Sequence, residues 1–440
     1  MTRPIWIIGG TLAGLITAFR LLPYGFHLRI LERRTAPQIP DQTDALPPVW
    51  PGFFHATWSL LQELSLPLTP FQTGSIEILS TDNQRYRISR LPFFSHFHVF
   101  PELLLFKGLS WRDRLNLLNH LEKSWEQGRS DEGISDTQSA ENWVTDARQS
   151  HAARQCFWNP LCRWLLGCDL SDASLRMFVT SLSRYAQTTS TGTQWFFGSE
   201  SHMGELKTAL RDLLIKQGVQ FHTCEEYPLF RSVGRNSENL LPAGDSFSET
   251  ATYVAALPPE EILSLLPERV LTKFAQLDQM AHIASHTRLL MTFTVPNIEL
   301  PPSLVLCPHH IDWVAILPPT GSLPTGTQMA CLLQEMPDEF PSERHTQIKS
   351  PWAYLQAILH VARNLPDTAC PPQFQYRQLR LFPSSAGLRA FRPRNSGPIP
   401  NFFVVGTWTE TTFPHSMESL VNSANTCAEA IAHRFFACLR

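Results

Sequence analysis

The chain has 440 residues, 43% hydrophobic and 17% charged, with a net charge of −3. That length exceeds one simple core and predicts two domains, while the near-neutral balance without a clustered basic face excludes a nucleic-acid binder. The 28 Phe and 12 Trp suit a large core first, with some left to line a site for a bulky apolar substrate.

In chain order, residues 5–8 are all apolar, as a buried parallel strand is. Gly9 and Gly10 turn the chain. Residues 11–22 read as a helix, with Leu12, Leu15, Ile16 and Phe19 at helical spacing, Gly25 ends it, and 26–32 is a second strand. Arg3 and the apolar run after it resemble an export signal, but Gly9, Gly10, Gly14 and Arg20 interrupt the run, so no cleaved leader is expected. The chain is then proline-rich and irregular to about Trp50. Residues 55–66 look helical, 91–111 are rich in aromatic residues, 112–127 look helical, and 128–140 read as a polar surface loop. Helices follow through 187.

Residues 203–217 form the clearest helix, with Leu206, Ala209, Leu210, Leu213 and Leu214 in one stripe and Gly218 as its cap. A strand at 219–224, a polar loop at 232–249, a strand at 252–257 and a helix from 260 to 266 come next. Residues 288–390 mix strands with proline-rich loops. A last apolar strand at 402–405, a turn at 406–414 and a long helix at 416–436 end the chain. No apolar run is long enough to predict a spanning helix, and there is no internal repeat.

Nine cysteines are an odd count with no C-x-x-C pair. Cys156, Cys162 and Cys168 lack zinc-type pairing. Cys307, followed by His309 and His310, reads as a loop rather than a metal site. Free thiols in a reducing cytoplasm fit this usage.

A strand, a glycine turn and a helix bring backbone N–H groups and a positive helix end to one point, which suits a pyrophosphate. Glu32 ends the second strand, where a carboxylate accepts from an adenosine ribose. The turn reads Gly9-Gly10-Thr11-Leu12-Ala13-Gly14, so Thr11 stands at the middle glycine of G-x-G-x-x-G. Either its side chain crowds the pyrophosphate, at roughly 1–3 kcal/mol if the backbone strains, or its hydroxyl donates to phosphate.

Further blocks are distinctive: residues 100–118, Phe157-Trp158-Asn159-Pro160-Leu161-Cys162, Met203-Gly204-Glu205-Leu206 through Gly218-Val219, Tyr253-Val254-Ala255-Ala256-Leu257-Pro258-Pro259, and 404–418 (Val-Val-Gly-Thr-Trp-Thr-Glu-Thr-Thr-Phe-Pro-His-Ser-Met-Glu). With the N-terminal unit, they resemble the squalene-associated flavoproteins of the hydroxysqualene dehydroxylase type, a branch of the phytoene-desaturase and amine-oxidase superfamily. Thr407, Thr412, Ser419 and Ala424 depart from that pattern, and the glycine-rich stretch expected shortly after Glu32 is absent.

The resemblance implies an α/β fold: a doubly wound, Rossmann-like FAD-binding domain interleaved with an α+β substrate domain. The FAD-binding domain would comprise 1–80, 196–270 and 396–440, and the substrate domain 81–195 and 271–395. FAD is the implied cofactor. Gly9, Gly10, Thr11, Leu12, Ala13, Gly14, Glu32 and Arg33 are expected at its ADP half, and Gly406, Thr407, Ser416 and Met417 at its ribityl chain and flavin. The implied reaction is reductive dehydroxylation of hydroxysqualene to squalene in squalene and hopanoid biosynthesis. A carotenoid or phytoene desaturase and an amine-oxidase-like enzyme are alternatives. A cofactor-free relative that binds isoprenoid lipid or a partner enzyme is another, suggested by Thr11 and Thr407. No proton donor is assigned; Glu410 and His415 are candidates, weighed against purely structural roles. The expected partners are a polyprenoid lipid, upstream squalene or prenyl synthases, and a membrane surface touched by 93–111 through Phe97, Phe100, Leu103, Leu104 and Phe106. The expected location is the cytoplasm or the inner face of its membrane.

Overall fold

A computed structural model describes residues 4–34, 46–66, 76–79, 84–88, 106–127, 134–187, 195–198, 200–233, 239–244, 246–283, 285–296, 302–307, 311–317, 326–333 and 374–437. Its strands are β1 (Pro4–Ile8), β2 (His27–Arg33), β3 (Val49–Pro51), β4 (Ile76–Leu79), β5 (Arg85–Ile88), β6 (Trp195–Phe197), β7 (Gln220–Cys224), β8 (Phe230–Val233), β9 (Asn239–Pro242), β10 (Thr252–Ala255), β11 (His286–Pro296), β12 (Ser303–Leu306), β13 (Ile311–Leu317), β14 (Gly326–Leu333), β15 (Phe374–Leu381) and β16 (Phe402–Val404). The principal helices are α1 (Leu12–Leu21), α2 (His55–Glu63), α3 (Trp111–Gln127), α4 (Ala140–Asp146), α5 (Asn159–Leu166), α6 (Leu175–Gln187), α7 (Glu200–Lys216), α8 (Pro259–Leu265) and α9 (Met417–Ala437).

Five strands form a parallel sheet in the order β16-β10-β1-β2-β7. The two-residue period of a strand assigns its faces. Ile5, Ile7, Leu28, Ile30 and Val254 pack with α1, α7 and α9, whereas Trp6, Ile8, Leu31, Tyr253 and Ala255 pack with the β8–β9 hairpin and the helical segment after β10. The central and adjoining strands β1, β10 and β16 are buried on both faces, which is why 5–8 shows no polar alternation.

A second sheet runs β15-β11-β14-β13-β12-β4-β5 and is antiparallel except where β12 meets β4. Its strands come from stretches of chain that alternate with those of the first sheet. Leu290, Leu304, Leu306, Trp313, Leu332, Leu379 and Leu381 on its inner face join the core of the first sheet. Two small elements accompany them: the pair β3–β6, and the stretch around α5, which packs on β12 and β13. There Arg154–Trp158 is wound as a π-turn just ahead of Pro160, whose missing N–H breaks the helical ladder.

The expected polar loop at 232–249 contains one arm of the β8–β9 hairpin. Leu240 and Leu241 are buried, and the Asn401 side chain bonds both the N–H and the carbonyl of Leu240, at 2.9 and 2.7 Å. Burial on the sheet, rather than any local apolar pattern, makes this segment a strand. No described helix is long and apolar enough to cross a membrane.

The first turn of α9 also secures α2. Glu418 is 2% exposed and accepts from the N–H groups of Ala56 and Thr57 at 2.9 and 2.8 Å and from the Thr57 hydroxyl at 2.7 Å. The carboxylate thereby caps the N-terminus of α2 from 361 residues away and meets the positive end of that helix. Glu418→Ala strands two buried donors on Thr57 and the half-buried N–H of Ala56 and is expected to cost about 3 kcal/mol. Denaturant unfolding measures this, and a loss below about 1 kcal/mol would show that the cap carries little of the fold.

Candidate functional site

The carboxyl ends of β1, β2, β10 and β16 meet at one edge of the parallel sheet. After β1 the chain turns at Gly9, whose φ is +112°. The turn is tight on three sides. A Cβ on Gly9 would lie 2.4 Å from the Ala256 carbonyl oxygen, one on Gly14 would lie 2.2 Å from the Gly9 carbonyl oxygen, and one on Gly10 would lie 2.7 Å from Glu32 Oε2. Gly9 and Gly14 therefore require glycine, and a side chain at Gly10 would displace Glu32.

Thr11 caps α1. It is buried, its hydroxyl oxygen accepts from the Gly14 N–H at 3.3 Å, and its proton goes to the Ala256 carbonyl at 3.0 Å. The Thr11 hydroxyl is thus turned into the fold, where it ties the start of α1 to the chain just after β10. Leu12 and Ala13 form the first turn of α1, whose axis ends at this point.

Glu32 lies over Gly10 and is held from behind by Arg211 of α7. Two parallel bonds join them, Nη1 to Oε2 at 2.6 Å and Nη2 to Oε1 at 2.8 Å. The guanidinium is stacked 4.3 Å from the centroid of the Phe221 ring. Such a fork takes one acceptor position on each oxygen and leaves one on each, the number needed by a vicinal diol. Arg33 points elsewhere, 3.2 Å from Glu261 and over the Tyr227 ring.

A groove of about 120 Å³ leads away from the glycine turn, lined by Thr11, Ala13, Ala256, Gly406, Thr407 and Trp408 among others. Glu260 and Glu261, which would repel an anion here, are paired with Arg380 and Arg33. Trp408 rests on Gly406 and donates to the Leu257 carbonyl at 3.2 Å. Ser416 precedes α9, accepting from the Ser419 N–H at 3.2 Å, and Met417 is fully buried.

The far end of the groove, at Phe382 and His415, also borders a second, apolar chamber of about 50 Å³. Phe53, Phe54, Leu165, Leu166, Trp313 and Leu381 are among the residues of its wall. No described residue lining it is an Asp or Glu. The one arginine among its described lining residues, Arg163, is paired with Asp169.

A family model for flavin-containing amine oxidoreductases matches residues 53–432. The chain belongs to that family. It is an oxidoreductase, and FAD is its cofactor. The fold agrees: an oxidoreductase from Methanosarcina mazei superposes with a TM-score of 0.67 at 15% identity, covering 97% of this chain and all of that one. Cyclohexylamine oxidase from Brevibacterium oxydans gives 0.63 at 17% identity, covering 99% and 100%. A putrescine oxidase variant gives 0.64 at 14% identity, covering 98% and 99%. No curated protein matches the sequence. The glycine turn and the forked carboxylate suit the pyrophosphate and ribose of FAD, since the close packing at Gly9 and Gly14 sets the N-terminus of α1 at the sheet edge beside Glu32.

The two candidate proton donors separate. Burial alone would raise the Glu410 pKa, but bonds from Arg389 at 2.7 and 3.2 Å and from Arg394 at 3.1 Å outweigh it and hold the carboxyl below its ordinary range. Glu410 is therefore an ionised structural anchor and cannot serve as a proton donor near neutral pH. His415 borders both cavities and meets Phe382 edge-on at 5.5 Å. Burial pushes the Cys168 thiol up to about 12 and the Cys162 and Cys307 thiols up as well, which keeps them protonated and inert. His309 and His310 lie outside the described residues.

Arg211, Phe382, Trp313 and Ser181 escape sequence reasoning, because each reaches the site from a distant element without a motif. Arg211 follows Leu210 of the apolar stripe, a neighbourhood that gives no hint of a carboxylate partner.

Glu410 sets an acid limit. Its folded pKa is depressed, so its stabilisation is complete above the ordinary value of 4.5 and is lost as pH falls through the lowered one. Wild type should exceed Glu410→Gln in stability at neutral pH, with the gap closing as pH falls below 4.5. A gap that stays constant in pH-dependent unfolding would remove the ion cluster from this role.

Proposed function

We propose that this FAD-dependent oxidoreductase acts on a polyprenoid alcohol, by reductive dehydroxylation of hydroxysqualene to squalene. The observation that carries the reading is the chamber beyond the groove, which is aromatic and aliphatic and has no carboxylate among its described residues. A protonated amine in such a wall would be a buried cation without a counter-charge, at a cost of several kcal/mol. Polyene desaturation needs the same apolar walls but no proton for a leaving hydroxyl, and His415 supports the dehydroxylation. The cofactor-free alternative rested on Thr11 and Thr407. Thr11 has its own place in the fold, and Thr407 is buried along the groove.

On this reading, the glycine turn receives the pyrophosphate, the Arg211-held Glu32 receives the ribose diol, and Gly406, Thr407, Ser416 and Met417 border the flavin end. His415, as its imidazolium, gives a proton to the substrate hydroxyl and is left as the neutral imidazole. The C–O bond breaks, water leaves, and the aromatic faces of Phe53, Phe54 and Trp313 stabilise the allylic cation. Reduced FAD, when bound, supplies the hydride that completes the hydrocarbon. The chamber is smaller than a C30 chain, so the substrate must displace side chains such as Phe382 as it enters. The alcohol would come from a prenyl-condensing enzyme upstream.

Protein purified with added FAD should show flavin bands near unit stoichiometry, and Gly14→Ala should lose them. The reduced holoprotein should convert hydroxysqualene to squalene anaerobically, and His415→Gln should slow this at least about a hundredfold. A flavin-loaded protein that leaves the alcohol untouched would overturn the substrate assignment.

A membrane surface would deliver such a substrate. Phe106 is 2% exposed and packs on Phe157 and Tyr86, so it is not available to lipid. Phe97, Phe100, Leu103 and Leu104 lie outside the described residues. Trp111 and Leu115, one turn apart on α3, are 64% and 42% exposed, with Lys107 and Arg112 exposed nearby. That combination suits shallow insertion beside anionic headgroups. Flotation with anionic liposomes should carry wild type and leave Trp111→Ser with Leu115→Ser behind; equal flotation of both would move the contact elsewhere.

A further inference from the structure

Ser181 of α6 is 3% exposed and lines the apolar chamber. Its hydroxyl has no hydrogen-bond partner among the described residues. The Ser416 hydroxyl, also at the chamber wall, is engaged with Pro414 and Ser419. A buried hydroxyl without a partner is a standing cost to the fold. Such a group in an apolar pocket recognises a ligand's polar atom, because the ligand is what completes its bonding.

Its position says which part of a ligand it meets. Arg184, one turn further along α6 on the same face, donates to the Thr412 carbonyl at 2.6 Å and to the Thr412 hydroxyl at 2.8 Å. Its guanidinium lies 3.7 Å from the Phe413 ring centroid. These contacts fasten α6 to the turn that carries His415, and residues of both line one chamber. Ser181 and His415 therefore present polar groups to the same apolar space.

We propose that Ser181 is the binding group for the substrate's hydroxyl, and that it makes the chamber select a lipid alcohol over the corresponding hydrocarbon. A serine hydroxyl both donates and accepts, so it can hold an alcohol oxygen while another group delivers a proton to it. It also favours release: once the hydroxyl has left as water, the hydrocarbon product no longer satisfies Ser181. This rests on the polyprenoid reading above and adds the source of its selectivity.

The test titrates flavin-loaded protein with hydroxysqualene and with squalene in detergent, reading tryptophan fluorescence and the flavin spectrum. Wild type should prefer the alcohol. Ser181→Ala should bind the alcohol about tenfold more weakly and the hydrocarbon unchanged. Ser181→Thr, which keeps the hydroxyl, should restore part of the preference. The thermal midpoint of Ser181→Ala should equal or exceed that of wild type, whereas a structural hydroxyl would lower it. An alanine variant that keeps the preference, or loses affinity for both lipids equally, overturns the proposal alone. A wild type that binds neither lipid overturns the polyprenoid reading and the proposal with it.

Discussion

The approach of α1 to the end of β10 is the constraint on which the site depends. The Ala256 carbonyl accepts the Thr11 hydroxyl and leaves no room for a side chain on Gly9. The Gly9 carbonyl, in turn, leaves none on Gly14. These contacts fix the start of α1 against the sheet edge, and the groove begins where they end. Thr11 substitutes an internal hydrogen bond for the conformational freedom of a glycine. A departure from the dinucleotide fingerprint is thus compatible with the geometry the fingerprint serves.

Two layers of charge management surround that point. Every acid at the groove whose contacts are described is countered: Glu32 by Arg211, Glu260 by Arg380 and Glu261 by Arg33. The chamber follows the opposite rule and is nearly free of charge, with Arg163 neutralised by Asp169. A charge-lined groove and an apolar chamber lie end to end, joined where Phe382 and His415 border both. This contrast sets the family's shared cofactor apart from the substrate this chain is proposed to take, since the amine oxidases of similar fold are named for cationic substrates.

The parallel sheet was the most legible part of the sequence. Strands buried on both faces read as uninterrupted apolar runs, and 5–8 and 252–257 show this directly, as does the helix stripe closed by Gly218. The β8–β9 hairpin was not legible, because Leu240 and Leu241 are a short apolar pair among polar residues and their strand exists only against the sheet and Asn401. At the site, the glycines and Glu32 stood out by spacing. Thr11 was visible but its direction was not, since a side chain's orientation follows from a carbonyl 245 positions away. Glu410 was visible for the same reason and misleading, because the arginines that ionise it lie in a separate loop. The chamber was hidden altogether: its wall is built from five or more segments whose residues look like ordinary core.

The order of strands in the parallel sheet has a consequence for how the protein is made. Neighbours β10 and β16 lie about 150 residues apart along the chain, and β1 and β10 about 250. During synthesis β1 and β2 emerge early, but their partner β10 follows only after more than half of the chain, and the edge strand β16 and the Glu418 cap come almost last. At typical translation rates this interval is on the order of tens of seconds. Through it the growing polypeptide carries an unfinished sheet with apolar strands on both faces. Such an intermediate is a natural client for chaperones, and its completion waits on the ribosome rather than on the speed of folding itself.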